Sequence, residues 1–455
     1  MSTVNSGPSI SKTSLVLDLD ASARRSFLPN SIINMNSWTV STGSVAGYGL
    51  NGAYSENIRT LDTNPWGDTD VVWGSFPNGS GYDDGGWNGD AFNIDNTKMY
   101  RFSVWVRRIS STSGGSYYLG LYANGSGPVQ MSDNVINTNP YWYCNGTSEL
   151  VQNTWYLLVG HAYPYNTTYT GRHPDTGYYL ANNPNQITLG YIGCNIGSGD
   201  VKWSSNTTQA QHRVYHYYCN DSTTRLQFYD PRVDLMDGKQ PSIAELVKYS
   251  PTQFRNLASN SINFSISGKP TYSTTANGLF NFNGSNTYFT AAENSTFNTE
   301  TFTIECWART SNLTQNGFLF EKGNVNTQFS LFFENSGATN YFKLRTYTSV
   351  SGLSDTVFGA TATYITSNVW FLISASYNYG VKKLYFNGVL IGTGTVSGTL
   401  GTNTNGMSIG VYGGQNGGRG YYYTGDIGSL RFYNRVLSDG EILQNFQQAK
   451  SKFGL

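Results

Sequence analysis

The sequence predicts an all-β chain made of two large antiparallel β-sandwiches, one inserted into the other. Three observations carry that expectation. Fifty-one glycines and only 13 prolines punctuate short alternating stretches of apolar and polar residues, which is the pattern of many strands joined by tight turns. Aromatic residues reach 15%, with 34 tyrosines and 24 phenylalanines, so ring area can fill a core although only 12% of residues are charged. A length of 455 residues exceeds what one core organises, and two large sandwiches fit it.

The elements follow in order. Leu15 to Leu19 reads as a first strand. From Pro29 to Pro251 a second set of strands alternates: Met99 to Arg107, Tyr117 to Tyr122, Trp155 to Gly160, His212 to Tyr218, and an acidic closing strand from Leu226 to Leu235. Thr301 to Ala308 can turn Phe302, Ile304, Cys306 and Ala308 to one side and Thr301, Thr303, Glu305 and Trp307 to the other. Trp370 to Tyr377 is the next strand, then Lys383 to Phe386. Asn387-Gly388 supplies a two-residue turn into Val389 to Ile391, the strongest hairpin signal in the chain. Met407 to Tyr412 and Gly425 to Tyr433 complete the strands. Ser438 with Glu441 three residues on makes a capping box, and this closing segment is the only one that reads as helical.

Charge and composition exclude several classes. With 28 basic and 28 acidic side chains, no global field draws in nucleic acid or an anionic membrane. No run approaches the roughly 18 apolar residues of a spanning helix, so no membrane insertion is expected. Met1 to Thr13 is polar and has no secretory-signal pattern. Cys144, Cys194, Cys219 and Cys306 lack CxxC or zinc spacing and read as free thiols. Sequons such as those at Asn166 and Asn206 arise by chance in a chain this rich in Asn, Ser and Thr.

Phe302-Thr303-Ile304-Glu305-Cys306-Trp307, Trp370 ahead of Asn378, Leu384 to Gly388, and Gly425-Asp426-Ile427 leading through Tyr433-Asn434-Arg435 to Leu437–Ile442 resemble the concanavalin A-like, laminin-G-type jelly roll over about residues 278 to 448. Phage members of that family open with a segment similar to Leu15–Ala21, followed soon by one similar to Phe254–Ala258. Here more than two hundred residues separate the two. The resemblance therefore implies a discontinuous lectin-like domain, residues 1–28 plus 252–455, interrupted by a second domain over 29–251. The insert, from Ile32-Ile33-Asn34 and Trp38-Thr39-Val40 to its acidic closing strand, resembles jelly-roll modules of the galactose-binding-like or family-4/9 carbohydrate-binding type, so that the resemblances make both sandwiches jelly rolls. Met99 to Arg108 and Phe228 to Leu235 resemble phage structural proteins.

Candidate chemistry is sparse. A glycosidase on this fold needs two nearby carboxylates, and no Glu-x-Asp-x-x-Glu pattern or Gly-x-Ser-x-Gly elbow is present; Glu305 reads as an edge or surface residue. In a strand, His212, Val214, His216 and Tyr218 share a face, which is either a half-polar surface for a metal or sugar or a structural histidine pair. His161 and His173 are isolated in sequence. The segment from Asn64 to Asp90 sets Trp66, Trp73, Tyr82 and Trp87 among glycines and acids. Such rings suit the apolar face of a sugar, and the alternative, favoured over it, is a long glycine-rich connection with one or two tryptophans folded back into the core. The jelly-roll resemblance adds calcium on Asp83, Asp84 and Asp90. Tyr412, Arg419 and Tyr421, in a glycine-rich stretch before the last strand, are candidates for ligand contact or simply lead into that strand.

The expectation is a non-enzymatic phage virion protein assembled in the host cytoplasm and exposed on the particle surface. Its expected partners are other virion proteins, copies of itself and a host-surface glycan, as in a tail-fibre adhesin. A capsid-decorating or head-fibre protein is the alternative. The carbohydrate-binding part of a secreted carbohydrate-active protein ranks third.

Overall fold

Strand Thr301–Arg309 sets the plan of the first unit, because its two faces are buried against different partners. The computed structural model describes residues 10–455 apart from 24–25, 29–30, 259–261, 269, 274–277, 324–327, 337–338 and 414–418. The chain divides into two compact units, Met1–Phe27 with Thr252–Leu455, and Leu28–Pro251.

In unit 1, Thr301–Arg309 lies between Thr424–Tyr433 and Phe371–Asn378 in an eight-stranded sheet. Leu15–Asp20 also pairs with Thr424–Tyr433, Leu19 opposite Leu430 and Asp18 opposite Arg431. Leu17 and Leu19 are fully buried, and Arg431 Nε donates to Asp18 at 3.1 Å. Strands Val381–Phe386 and Val389–Thr395 form the expected hairpin, with Asn387 and Gly388 at φ 49° and 83°, as a turn matched to strand twist requires. The second eight-stranded sheet runs in the order Gln253–Arg255, Asn263–Ser267, Tyr288–Ala291, Met407–Ile409, Gly317–Lys322, Phe329–Ser336, Thr339–Thr348, Gly352–Ala360. Phe302, Ile304, Cys306 and Ala308 form one core with Phe329, Leu331, Phe333 and Leu344.

The other face of Thr301–Arg309 is roofed by the closing helix Asp439–Ala449 and the turn Lys450–Phe453. Ser438 and Glu441 make the predicted capping box. Trp307 stacks on Phe453 at 4.3 Å and on Phe446 at 5.7 Å. Glu305, expected at an edge or surface, is instead 1% exposed beneath this helix, where Asn445 donates to it at 2.9 Å. Burial pushes its pKa up to about 7, against the pull of Arg431.

Unit 2 pairs a ten-stranded sheet, with Tyr156–Tyr163, Tyr100–Arg108 and Leu226–Leu235 adjacent in it, against a six-stranded sheet ordered Tyr141–Gly146, Ser116–Ala123, Gln209–Tyr217, Asp83–Gly89, Tyr48–Leu50. The acidic closing strand is a buried ion network: Arg101 meets Asp234 at 2.7 Å and Arg232 meets it at 2.9 Å.

Several expectations are corrected. Cys144 and Cys194 form a disulfide, while only Cys219 and Cys306 are free, both buried; partners 50 residues apart leave no local spacing cue. The closing helix is not alone, since Ile243–Lys248 and Thr361–Tyr364 are also helical. His212, Val214 and His216 do not form a ligand surface. They point into the core, where His212 and His216 contact the carbonyls of Ser103 (3.1 Å) and Gly114 (2.9 Å), and burial lowers both pKa values to about 4. Tyr218 leaves the strand at φ 60° and is exposed. His161 and His173, isolated in sequence, stack at 3.9 Å. Among the described residues no helix is long and apolar enough to cross a membrane.

Candidate functional site

The outer face of the second sheet of unit 1 carries a groove whose residues follow from strand alternation. With Phe329, Leu331 and Phe333 directed into the core, Ser330, Phe332 and Glu334 turn outward. Register sets Phe318 opposite Phe332, and an irregularity between Phe318 and Phe320 keeps both rings on this side. The two rings stack on each other at 4.5 Å with planes 10° apart and, each 3% exposed, close the base of the groove beneath the residues around them. Tyr412 approaches Phe318 at 4.9 Å, Tyr421 at 6.4 Å, and the two tyrosines meet edge to face at 6.0 Å. On the other side, Arg345 lies over Phe332 at 4.8 Å. Asn316, Glu334 and Asn335 supply polar atoms to a groove of about 560 Å³.

Electrostatics fix these walls. Arg345 is held by both oxygens of Asp355, at 2.6 and 2.8 Å, and Lys343 pairs with Glu334. Asn316 accepts from the Asn335 backbone at 2.7 Å. Beside the groove, Glu321 is fully buried and accepts from the Gly413 N–H at 2.6 Å. Its other oxygen, and the hydroxyl of its register partner Ser330, have no hydrogen-bond partner among the described residues. Burial pushes the Glu321 pKa up to about 8, so near neutral pH the carboxyl keeps its proton and can donate. The accessible rings, Tyr412 and Tyr421, can stack on the apolar face of a flat ligand while amides, a guanidinium and carboxylates meet its hydroxyls.

Of the sequence-predicted residues, Tyr412 and Tyr421 line this groove. Arg419 is exposed and lies over Tyr288 at 4.6 Å, away from the groove lining; the neighbouring residues 414–418 are outside the described ones. In unit 2 the predicted set does not assemble. Trp73 and Trp87 are fully buried with Trp38 and Tyr48 and offer no face to a ligand, because they sit on the strands Thr69–Ser75 and Asp83–Gly89 rather than in a loop. Trp66 is half-buried, donates to the Val247 carbonyl at 3.1 Å and packs on Trp105. Tyr82 is exposed against Tyr218.

Asp83, Asp84 and Asp90 do not fit calcium. Asp83 and Asp90 are exposed, whereas Asp84 is buried, accepts from the Cys219 N–H at 2.7 Å and has its pKa raised to about 6 by burial. Among the described residues no group of three or more His, Cys, Asp or Glu converges as a metal site. Sequence reasoning missed Phe318, Phe332, Arg345 and Glu321. The signal was available in the alternation of Ser330, Phe332 and Glu334 against three core residues.

Residues 283–443 match the family model of the concanavalin A-like lectin/glucanases superfamily. The groove lies on this lectin-like unit. No curated protein matches the chain. Among solved structures, it is similar to the binding domain of botulinum neurotoxin DC in complex with rat synaptotagmin II, at 16% identity and TM-score 0.36, over 44% of this chain and 50% of that one. It is similar also to the botulinum neurotoxin type G receptor binding domain, at 14% identity and TM-score 0.35, over 43% and 48%. A further likeness is to the binding domain of Paraclostridial Mosquitocidal Protein 1, at 16% identity and TM-score 0.35, over 44% and 50%. The chain spans about half the length of each.

Proposed function

We propose that this chain is a glycan-binding surface protein of a phage particle, a tail-fibre or adhesin component that holds host-surface glycans in the groove of the lectin-like unit. The observation that carries the reading is the groove in which Tyr412 and Tyr421 stand over the buried Phe318–Phe332 stack opposite Arg345, bordered by the amides of Asn316 and Asn335. The match of residues 283–443 to a lectin family supports it, and so do the phage-like segments at Leu15–Ala21, Met99–Arg108 and Phe228–Leu235. The protein assembles with other virion proteins and with copies of itself. We read the groove as a binding site: of the carboxylates around it, Glu334 is held by Lys343 and Asp355 by Arg345.

A glycan array on the purified chain, wild type against Tyr421→Ala, tests the site. Tyr421 is 57% exposed, so its loss should leave the fold intact while weakening binding by about 1–3 kcal/mol, the scale of an aromatic anchor. Unchanged binding, or release of reducing sugar from a bound glycan, would overturn the reading. Immunogold labelling of particles places the protein, and label confined to heads would replace the fibre role by capsid decoration.

A further inference from the structure

The outer face of the six-stranded sheet in unit 2 carries a second constellation, independent of the groove. Burial of Ala210, His212, Val214 and His216 sends Arg213, Tyr215 and Tyr217 of the same strand to the outer side, where Arg213 and Tyr217 stay half-buried while Tyr215 (3% exposed) and its neighbour Tyr141 (9%) are covered by the rings around them. Register sets Tyr118 opposite Tyr215, and Gly120 opposite both Arg213 and Tyr141. A Cβ at Gly120 would lie 2.4 Å from the Tyr141 ring, so glycine here lets that ring lie across the strand.

The result is a closed square of four tyrosines. Ring centroids stand 5.2 Å apart for Tyr118–Tyr141, 6.0 Å for Tyr141–Tyr215, 5.1 Å for Tyr215–Tyr217 and 5.4 Å for Tyr217–Tyr118, each pair edge to face. Side-chain amides already engage the hydroxyls: Tyr141 donates to Asn139 at 2.9 Å, Tyr217 to Asn51 at 3.4 Å, and Tyr215 to Asn88. The pavement continues into solvent through Tyr82 and Tyr122, 71% and 40% exposed.

Arg213 gives this face its sign. Its guanidinium lies over Tyr122 at 4.9 Å and donates to Asn139 at 2.6 Å. Its Nε is buried without a hydrogen-bond partner, and no ion pair among the described residues includes it. Asp83, opposite Tyr217 and in contact with its hydroxyl, places a carboxylate at the far edge of the pavement, four residues along the strand pair from Arg213, about 13 Å by strand rise. A half-buried guanidinium without a counter-ion among the described residues matches a carboxylate. The outward positions of the two central strands hold tyrosine, serine, glutamine, glycine and arginine but no aliphatic side chain. That chemistry favours a hydroxyl-rich ligand over the apolar side chains of a protein partner.

We propose that this face binds an acidic glycan, with a sugar carboxylate on the Arg213 fork and the neighbouring rings and hydroxyls on tyrosine and asparagine. The test titrates the full chain with oligogalacturonate and with oligosialic acid, and in parallel with their methyl esters and with polyglutamate. At least one carboxylated glycan should bind, its ester about tenfold or more weaker, and Arg213→Gln should lose about the same factor. Arg213→Lys should recover only part of it, since an ammonium lacks the fork. Tyr421→Ala, in the other unit, should leave this binding unchanged, which separates the proposal from the groove reading. Should Arg213→Gln fail to fold, the comparison of acid with ester on the wild-type chain decides alone. Binding of neither glycan, equal binding of acid and ester, or polyglutamate binding as tightly as the glycans would overturn the assignment.

Discussion

Replacing Trp87 by alanine separates a core residue from a ligand platform. Trp87 is fully buried, with the rings of Trp38, Tyr48, Trp73 and Phe228 at 5.5, 5.6, 5.2 and 5.7 Å, and its indole N–H points to His212 Nδ1 at 3.4 Å. Five large side chains from several strands cannot close over the space left by an indole. The cost should therefore lie in the full range for a buried tryptophan, about 3–5 kcal/mol. For a unit of this size each kcal/mol moves the midpoint by about 2–4 °C, so the unit 2 transition should fall by roughly 6–20 °C. Differential scanning calorimetry on the full chain reads this, with the unit 1 transition as internal control. A loss below about 1 kcal/mol would refute the packing argument, since it would require a site that collapses freely or a ring that was never enclosed.

Other outcomes follow from the same reasoning. Reducing the Cys144–Cys194 bond, or replacing both residues by serine, frees a 50-residue separation and should lower the unit 2 melting point by an amount equivalent to about 2–4 kcal/mol; an unchanged melt would mean the bond constrains nothing. Glu321 has its folded pKa raised from 4.5 to about 8, so the native state holds the extra proton between those values and wild-type stability declines as pH rises through that window. Glu321→Gln mimics the protonated form, and its advantage over wild type in urea melts should grow from pH 4.5 to pH 8; a constant difference would refute the assignment. Leu17 and Leu19 are fully buried in unit 1, so residues 252–455 alone should aggregate, while residues 1–28 joined to them by a short Gly-Ser linker should melt cooperatively. Equal stability of the two chains would show that the first strand is dispensable.

The lectin-like unit was more legible than the other because its signals are local. Asn387-Gly388, the alternation from Thr301 to Ala308 and the Ser438/Glu441 box each specify backbone geometry within a few residues. The same box at Ser242 and Glu245 opens the helix Ile243–Lys248 and was equally available. Where reading failed, a long-range choice decided. Periodicity divides Gln209–Tyr217 into a histidine face and a tyrosine face but cannot say which turns inward, and neutral histidines bonded to carbonyls proved the buried set. Gly85 and Gly86 looked like a loop, yet they are strand residues at φ 120° and 103° whose Cβ atoms would meet Ser75 and the Val214 carbonyl. That close approach carries Trp87 into the core. Tyr412 and Tyr421 were recognisable as exposed aromatics, but Phe318, Phe332 and Arg345 become a groove only once three strands are in register.

The roof over Trp307 gives the lectin-like unit a handle as well as a lid. Phe453 closes on Trp307 and Trp370, while Leu455, two residues later, is 40% exposed. A tag or biotin appended there leaves from the helical side, whereas the groove opens on the opposite sheet. Trimming the chain before Phe453 would bare two tryptophans and turn that side of the unit adhesive.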